Sequence, residues 1–174
     1  PSTIERLEFL MSRLEISPSD RKVVAAALRK NEENAGRGAV AIELSDGTLV
    51  SGKNSEIMSA SAACVFNAVK VLAGIDDSVK LISPYVIGPI LDLKTKILKD
   101  KENTLTLDEA LLALSICAAT DVCAARAIEK LPELRECEAH SSHMLYKADE
   151  NPFRKLGVNL TCEPEFLDNT LFNN

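Results

Sequence analysis

Apolar positions recur every three to four residues in some stretches and every second residue in others. The switches between these periods divide the chain into elements. From residue 3 to 14, Ile4, Leu7, Leu10, Met11 and Leu14 mark one face of a helix. Ser17-Pro-Ser-Asp20 stops that helix and caps the next, which runs over 21–31. A polar, glycine-containing break at 34–38 follows. Residues 38–52 read as a β-hairpin, with apolar extended residues 39–44, the turn dipeptide Asp46-Gly47, and a return over 48–51. Beyond the polar loop 53–56, Ser59 or Ser61 caps a helix through Ala62, Val65, Ala68, Val69 and Leu72 to Gly74. Residues 79–82 read as a short buried strand ended by Ser83-Pro84, and 86–98 as a helix despite Gly88-Pro89 near its start. Thr106-Leu-Asp-Glu109 has the form of a capping segment for an apolar helix through Leu114 and Cys117, and Asp121 caps another over 122–131. Residues 137–146 look extended, 149–156 form a short helix closed by Gly157, and 158–161 form a last strand. The tail after Pro164 is polar and is expected to fray.

Strands alternating with helices behind a hairpin predict an α/β fold: a three-layer mixed sheet flanked by helices on both faces. The break at 34–38 divides residues 1–35, two helices leading in from an upstream domain, from the α/β domain at 36–174. The chain begins at Pro1 without a methionine and reads as a fragment or a processed product.

Composition narrows the picture. A chain of 174 residues suits one domain with a proper core, built from aliphatic residues because aromatics are 4% and tryptophan is absent. A net charge of −6 argues against a nucleic-acid surface, and no polybasic run offers itself to an anionic membrane. No apolar stretch reaches the roughly 20 residues that span a bilayer, and no signal peptide is visible. Five cysteines, odd in number and without a C-x-x-C pair, predict reduced thiols and a cytoplasmic protein. Cys64 and Cys117 sit in apolar helical runs as small hydrophobes.

Candidate chemistry gathers in Cys137-Glu-Ala-His-Ser-Ser-His143, which holds both histidines of the chain. On a strand, Cys137, Ala139, Ser141 and His143 share one face, and Glu138, His140, Ser142 and Met144 the other. The histidines then point apart, which disfavours a zinc site, so neither a metal nor a cofactor is assigned. Glu138 beside His140 can orient an imidazole for proton transfer or anion binding, with Ser141 adjacent. A sheet-end histidine satisfied by backbone groups explains the same residues equally well. A second candidate is Lys53-Asn54-Ser55, leading into a helix N-terminus where amides can hold an anion. An ordinary capped loop is the plainer explanation. A third is Ser83, in a strand-to-helix elbow where open α/β sheets place ligands, and a tight turn accounts for it as simply.

Several stretches resemble the C-terminal region of a bacterial family, Domain of Unknown Function 1846. They are Leu10-Met-Ser-Arg-Leu-Glu-Ile-Ser-Pro-Ser-Asp-Arg-Lys22, Gly47-Thr-Leu-Val-Ser-Gly-Lys-Asn-Ser-Glu56, Leu81-Ile-Ser-Pro84, Leu131-Pro-Glu-Leu-Arg135, Glu138-Ala-His-Ser-Ser142 and Arg154-Lys-Leu-Gly-Val-Asn-Leu-Thr-Cys-Glu-Pro164. The resemblance implies about the last third of a longer cytoplasmic protein, whose upstream part carries a phosphate-loop-like segment suited to nucleotides. The family's Glu-Ala-His-Ser pattern falls on Glu138 to Ser141, whereas His143 stands where the family has an aliphatic residue. Hairpin, helix, strand, Ser-Pro and helix in that order are also similar to the opening of the cytidine-deaminase-like fold. That resemblance implies a metal-free, inactive copy, because Ser59-Ala-Ser-Ala62 and Ser83-Pro-Tyr-Val-Ile-Gly88 lack the zinc ligands and the glutamate. Two functions follow. One is a non-catalytic accessory or oligomerisation domain, packing on the upstream domain, on further copies of itself, or on both. The other is an enzyme in which Glu138, His140 and Ser141 complete a shared site for phosphoryl or acyl transfer.

Overall fold

β-Branched and small apolar residues in Ala39–Glu43 (β1) pair with the return strand Leu49–Lys53 (β2) to form the predicted hairpin. Its turn holds because Gly47 takes φ +85° while the Asp46 carboxylate accepts the Thr48 N–H at 2.9 Å. The computed structural model describes residues 2–101 and 103–167. Two further strands, Glu138–Ser141 (β3) and Asn159–Cys162 (β4), complete a sheet of order β2-β1-β3-β4. β1 runs antiparallel to both neighbours and β3 runs parallel to β4, so the sheet is mixed. The helix Lys147–Leu156 (α7) makes the crossover that the parallel pair requires.

Helices cover both faces. On one, Lys22–Glu33 (α2) lays Ala26 and Ala27 against Ala41, and these small side chains let it sit close to the strands. On the other lie Ala60–Ala73 (α3), Leu107–Ala118 (α5), Val122–Lys130 (α6) and α7. There Val40, Ile42 and Val50 from the sheet meet Val65, Val69, Leu114 and Phe153 in the main core. Gly52 marks the closest helix–sheet approach. A Cβ there would stand 2.1 Å from the Cys64 amide nitrogen, so the α3 backbone rests on the glycine itself.

Polar side chains fix the helix ends. Ser59, not Ser61, caps α3. Asp149 accepts hydrogen bonds from the Ser59 hydroxyl (2.8 Å) and the Leu107 N–H (2.7 Å), tying the starts of α3 and α5 to α7. The Thr106–Glu109 capping box forms as the sequence predicts, and Asp121 caps α6.

Four expectations change. Residues 79–82 form no strand. Leu81 and Ile82 are buried as side chains of a coil, packed into the main core without their backbone joining the sheet. The expected 86–98 helix starts at Pro84, as Pro84–Asp92 (α4), and passes into a π-helical turn, Leu93–Ile97. That turn carries Lys94 inward, where it is 4% exposed and bonds Glu109 and the Thr104 carbonyl, each at 2.7 Å. The extended 137–146 stretch is a strand over β3 alone. Instead of fraying, Phe166 stacks on Tyr146 and the Glu165 carbonyl accepts the Met144 N–H, while 168–174 lie outside the described residues.

The N-terminal pair of helices divides. α2 is built into the layered core, with Val23, Val24, Ala26 and Ala27 buried. Thr3–Arg13 (α1) buries no residue at all.

Candidate functional site

β3 and β4 lie side by side in register, Glu138 against Asn159 and His140 against Thr161. In-register residues share a face, so Glu138, His140, Asn159 and Thr161 all project toward the α2 side, together with Glu163 just past the strand. Arg21, the residue that starts α2, reaches down onto this row.

The contacts form a directed chain. Arg21 Nη1 donates to Thr161 Oγ1 at 2.6 Å. Thr161 Oγ1 lies 2.8 Å from His140 Nδ1, and His140 Nε2 lies 3.0 Å from Glu163 Oε1. The Thr161 hydroxyl, which accepts from the guanidinium, has its one hydrogen for either the Ala139 carbonyl at 3.5 Å or the much nearer Nδ1 at 2.8 Å, and a carboxylate accepts from Nε2–H. The arrangement therefore assigns a neutral imidazole protonated at Nε2 and satisfied at both nitrogens. Burial holds its pKa below the usual histidine value, opposed by the bond to Glu163. His140 is 4% exposed. Glu138 turns elsewhere. It pairs with Arg21 and accepts from Asn159 Nδ2 at 2.9 Å.

Ser141 projects to the opposite face, as alternation requires, and is fully buried. Its hydroxyl accepts the His143 N–H and lies 3.3 Å from His143 Nδ1. The Glu138, His140 and Ser141 trio is thus split across the sheet, with neither its carboxylate nor its hydroxyl bonded to the imidazole. His143, packed beside Gly38, Asn54 and Leu167, is pushed down to about 4 by burial. Among the described residues, no three His, Cys, Asp or Glu side chains gather to hold a metal ion.

The loop candidates are engaged in local structure. Asn54 Oδ1 accepts the Ala60 N–H at 2.5 Å, and its Nδ2 donates to the Arg37 carbonyl at 2.7 Å. The Ser55 hydroxyl accepts from Met58 N–H at 3.1 Å, and Lys53 is exposed. The Ala60 and Ala62 amides at the start of α3, which the sequence offered to an anion, are therefore occupied by Asn54 and Ser59. Ser83 caps α4 through Tyr85 N–H. Ser55 and Pro84, the neighbour of Ser83, do meet at one feature, an open groove of about 480 Å³ over the outer side of α3. Its walls are apolar, including Met58, Phe66, Ile82 and Ile87, and its charged members are Lys70 and Lys80. Lys70 Nζ donates to the Asp77 carbonyl at 2.7 Å.

Sequence reasoning missed Arg21, Asn159, Thr161 and Glu163. Polar residues at every second position from 159 to 163 were the signal, because such a row must lie beside another polar row or face water.

This geometry defines a small α/β domain whose histidine network joins a helix to a sheet edge. The chain belongs to the family described as Domain of unknown function DUF1846, C-terminal, which matches residues 19–172. It is 44% identical to a UPF0371 protein of Clostridium tetani (strain Massachusetts / E88), covering 99% of this chain and 36% of that protein. UPF0371 proteins of Clostridium botulinum are 43% identical in strain ATCC 19397 / Type A and 42% in strain Alaska E43 / Type E3, with the same coverage. The chain thus spans about a third of the length of these relatives.

Proposed function

We propose that this chain is a non-catalytic accessory domain that packs against the remainder of a longer polypeptide. The observation that carries the reading is the saturation of His140. A general base needs a free nitrogen facing a substrate, whereas both nitrogens here are bonded within the fold and the ring is enclosed. The joint to the remainder falls, in this reading, between α1 and α2, since α2 is part of the core. The five free cysteines support placement in a reducing, cytoplasmic setting. The deaminase-like comparison depended on a strand at 79–82 and, without it, carries no functional argument. Nucleotide binding, if the longer protein has it, belongs outside this chain.

A thermal-shift screen against nucleotides, phosphorylated metabolites and divalent metals tests the reading. A ligand at a hundred times its dissociation constant stabilises by about 2.7 kcal/mol. The expected result is that no stabilisation depends on His140 or Lys53. A shift abolished by His140→Ala or Lys53→Ala makes the domain a ligand site and overturns the reading.

The groove over α3 favours a second reading, binding of a small molecule with an apolar body and an anionic head near Lys80. Stabilisation by medium-chain carboxylates, lost in Lys80→Glu, supports it. Equal response of both proteins removes it.

A further inference from the structure

α1 stands apart from the rest of the described fold. Ile4, Leu7, Leu10 and Leu14 lie along one side, 50 to 67% exposed, with Met11 among them. Glu5, Arg6, Glu8, Ser12 and Arg13 occupy the other side, together with Phe9, which is 62% exposed with the Arg13 guanidinium over its ring. The spacing of Ile4, Leu7, Met11 and Leu14 is the seam of a helix that packs along another helix. The Ser2 and Glu5 capping box starts α1 and no residue is buried along it, so its local structure is specified while its cover is missing. A helix of 11 residues is shorter than the roughly 12–15 at which isolated helices become marginal in water. An apolar stripe on such a helix needs a partner to persist.

Two observations say what the partner is. The family's C-terminal region begins at residue 19, after α1 and within the Pro18–Asp20 turn. The chain accounts for 36% of the length of its relatives, so most of such a protein lies outside the described fold. We propose that the apolar face of α1 docks along a helix supplied by that remainder, making α1 the clasp between the two parts. The inference rests on the reading of this chain as a domain packed on a longer polypeptide.

Hydrogen exchange read by mass spectrometry tests it, with the 174-residue chain compared with the full-length polypeptide carrying this segment. The expected result is that α1 amides exchange at least about 100-fold more slowly in the full-length protein. Leu7→Asp with Leu14→Asp should remove that protection and leave the amides of β1 to β4 unchanged, since neither residue touches the core. If α1 stays unprotected while another surface gains protection, the docking surface is elsewhere. The inference then fails and the accessory reading stands. If no segment gains protection, both fail. Protection of α1 in the 174-residue chain that grows with concentration assigns the stripe to a second copy and overturns the proposal.

Discussion

Acidification should weaken this fold through His143, and the size of the effect follows from its surroundings. The ring is largely buried, its Nδ1 faces the hydroxyls of Ser141 and Ser142 at 3.3 and 3.4 Å, and burial pushes it from 6.5 down to about 4. The native state therefore favours the neutral ring, while the unfolded chain takes up a proton near 6.5. The contribution to stability is complete above the unfolded value and is lost as pH falls from about 6.5 toward 4. Between pH 7.5 and 5, that linkage amounts to about 2 kcal/mol. His140 is shifted in the same direction by burial and adds to the loss. Urea unfolding at both pH values measures it, with His143→Gln as the control that removes the titrating group. The wild type should lose about 2 kcal/mol more than the variant. Equal losses in both proteins, or an NMR titration placing His143 near 6.5, would refute the reasoning.

Other expectations concern packing. Gly52→Ala should destabilise by at least about 3 kcal/mol in urea unfolding, because the new Cβ meets backbone atoms of Ala63 and Cys64 at 2.1 to 2.6 Å and α3 must lift off β2. Glu109→Gln should cost about 3 kcal/mol by leaving the enclosed Lys94 ammonium without its carboxylate, and adding Lys94→Met should recover part of the loss. Leu7→Asp should change the stability of the 174-residue chain by less than about 0.5 kcal/mol, since α1 buries nothing; a larger loss in a calorimetric scan means that α1 packs on the domain after all.

Much of the fold was legible because local signals agreed with the tertiary outcome. Asp46-Gly47 specified the hairpin, and Ser59, Thr106 and Asp121 specified helix starts through side-chain oxygens that cap them. Alternation along 137–143 correctly separated His140 from Ser141 and His143. The strand at 79–82 misled because short apolar runs look alike whether their backbone joins a sheet or their side chains alone fill a core. Leu81 and Ile82 do the latter. The π-helical turn and the buried Lys94 left no local trace, since the carboxylate that makes its burial tolerable is fifteen residues away, at Glu109. The partners of His140 were equally distant. Alternation from 159 to 163 marks Thr161 and Glu163 as one polar row on β4 and the loop beyond it, but nothing local shows that this row meets His140, or that Arg21 at a distant helix start bonds Thr161.

The most direct test of the central claim, that His140 is a structural tie across the β3–β4 pair rather than a catalytic group, is a double-mutant cycle between His140 and Thr161. Unfolding free energies of the wild type, His140→Ala, Thr161→Val and the double variant give the coupling of the two side chains. The account predicts that His140→Ala alone costs about 2 kcal/mol and that the pair is coupled by about 1 kcal/mol. Coupling below about 0.3 kcal/mol, with His140→Ala as stable as the wild type, would contradict it and return His140 to the candidates for a functional group.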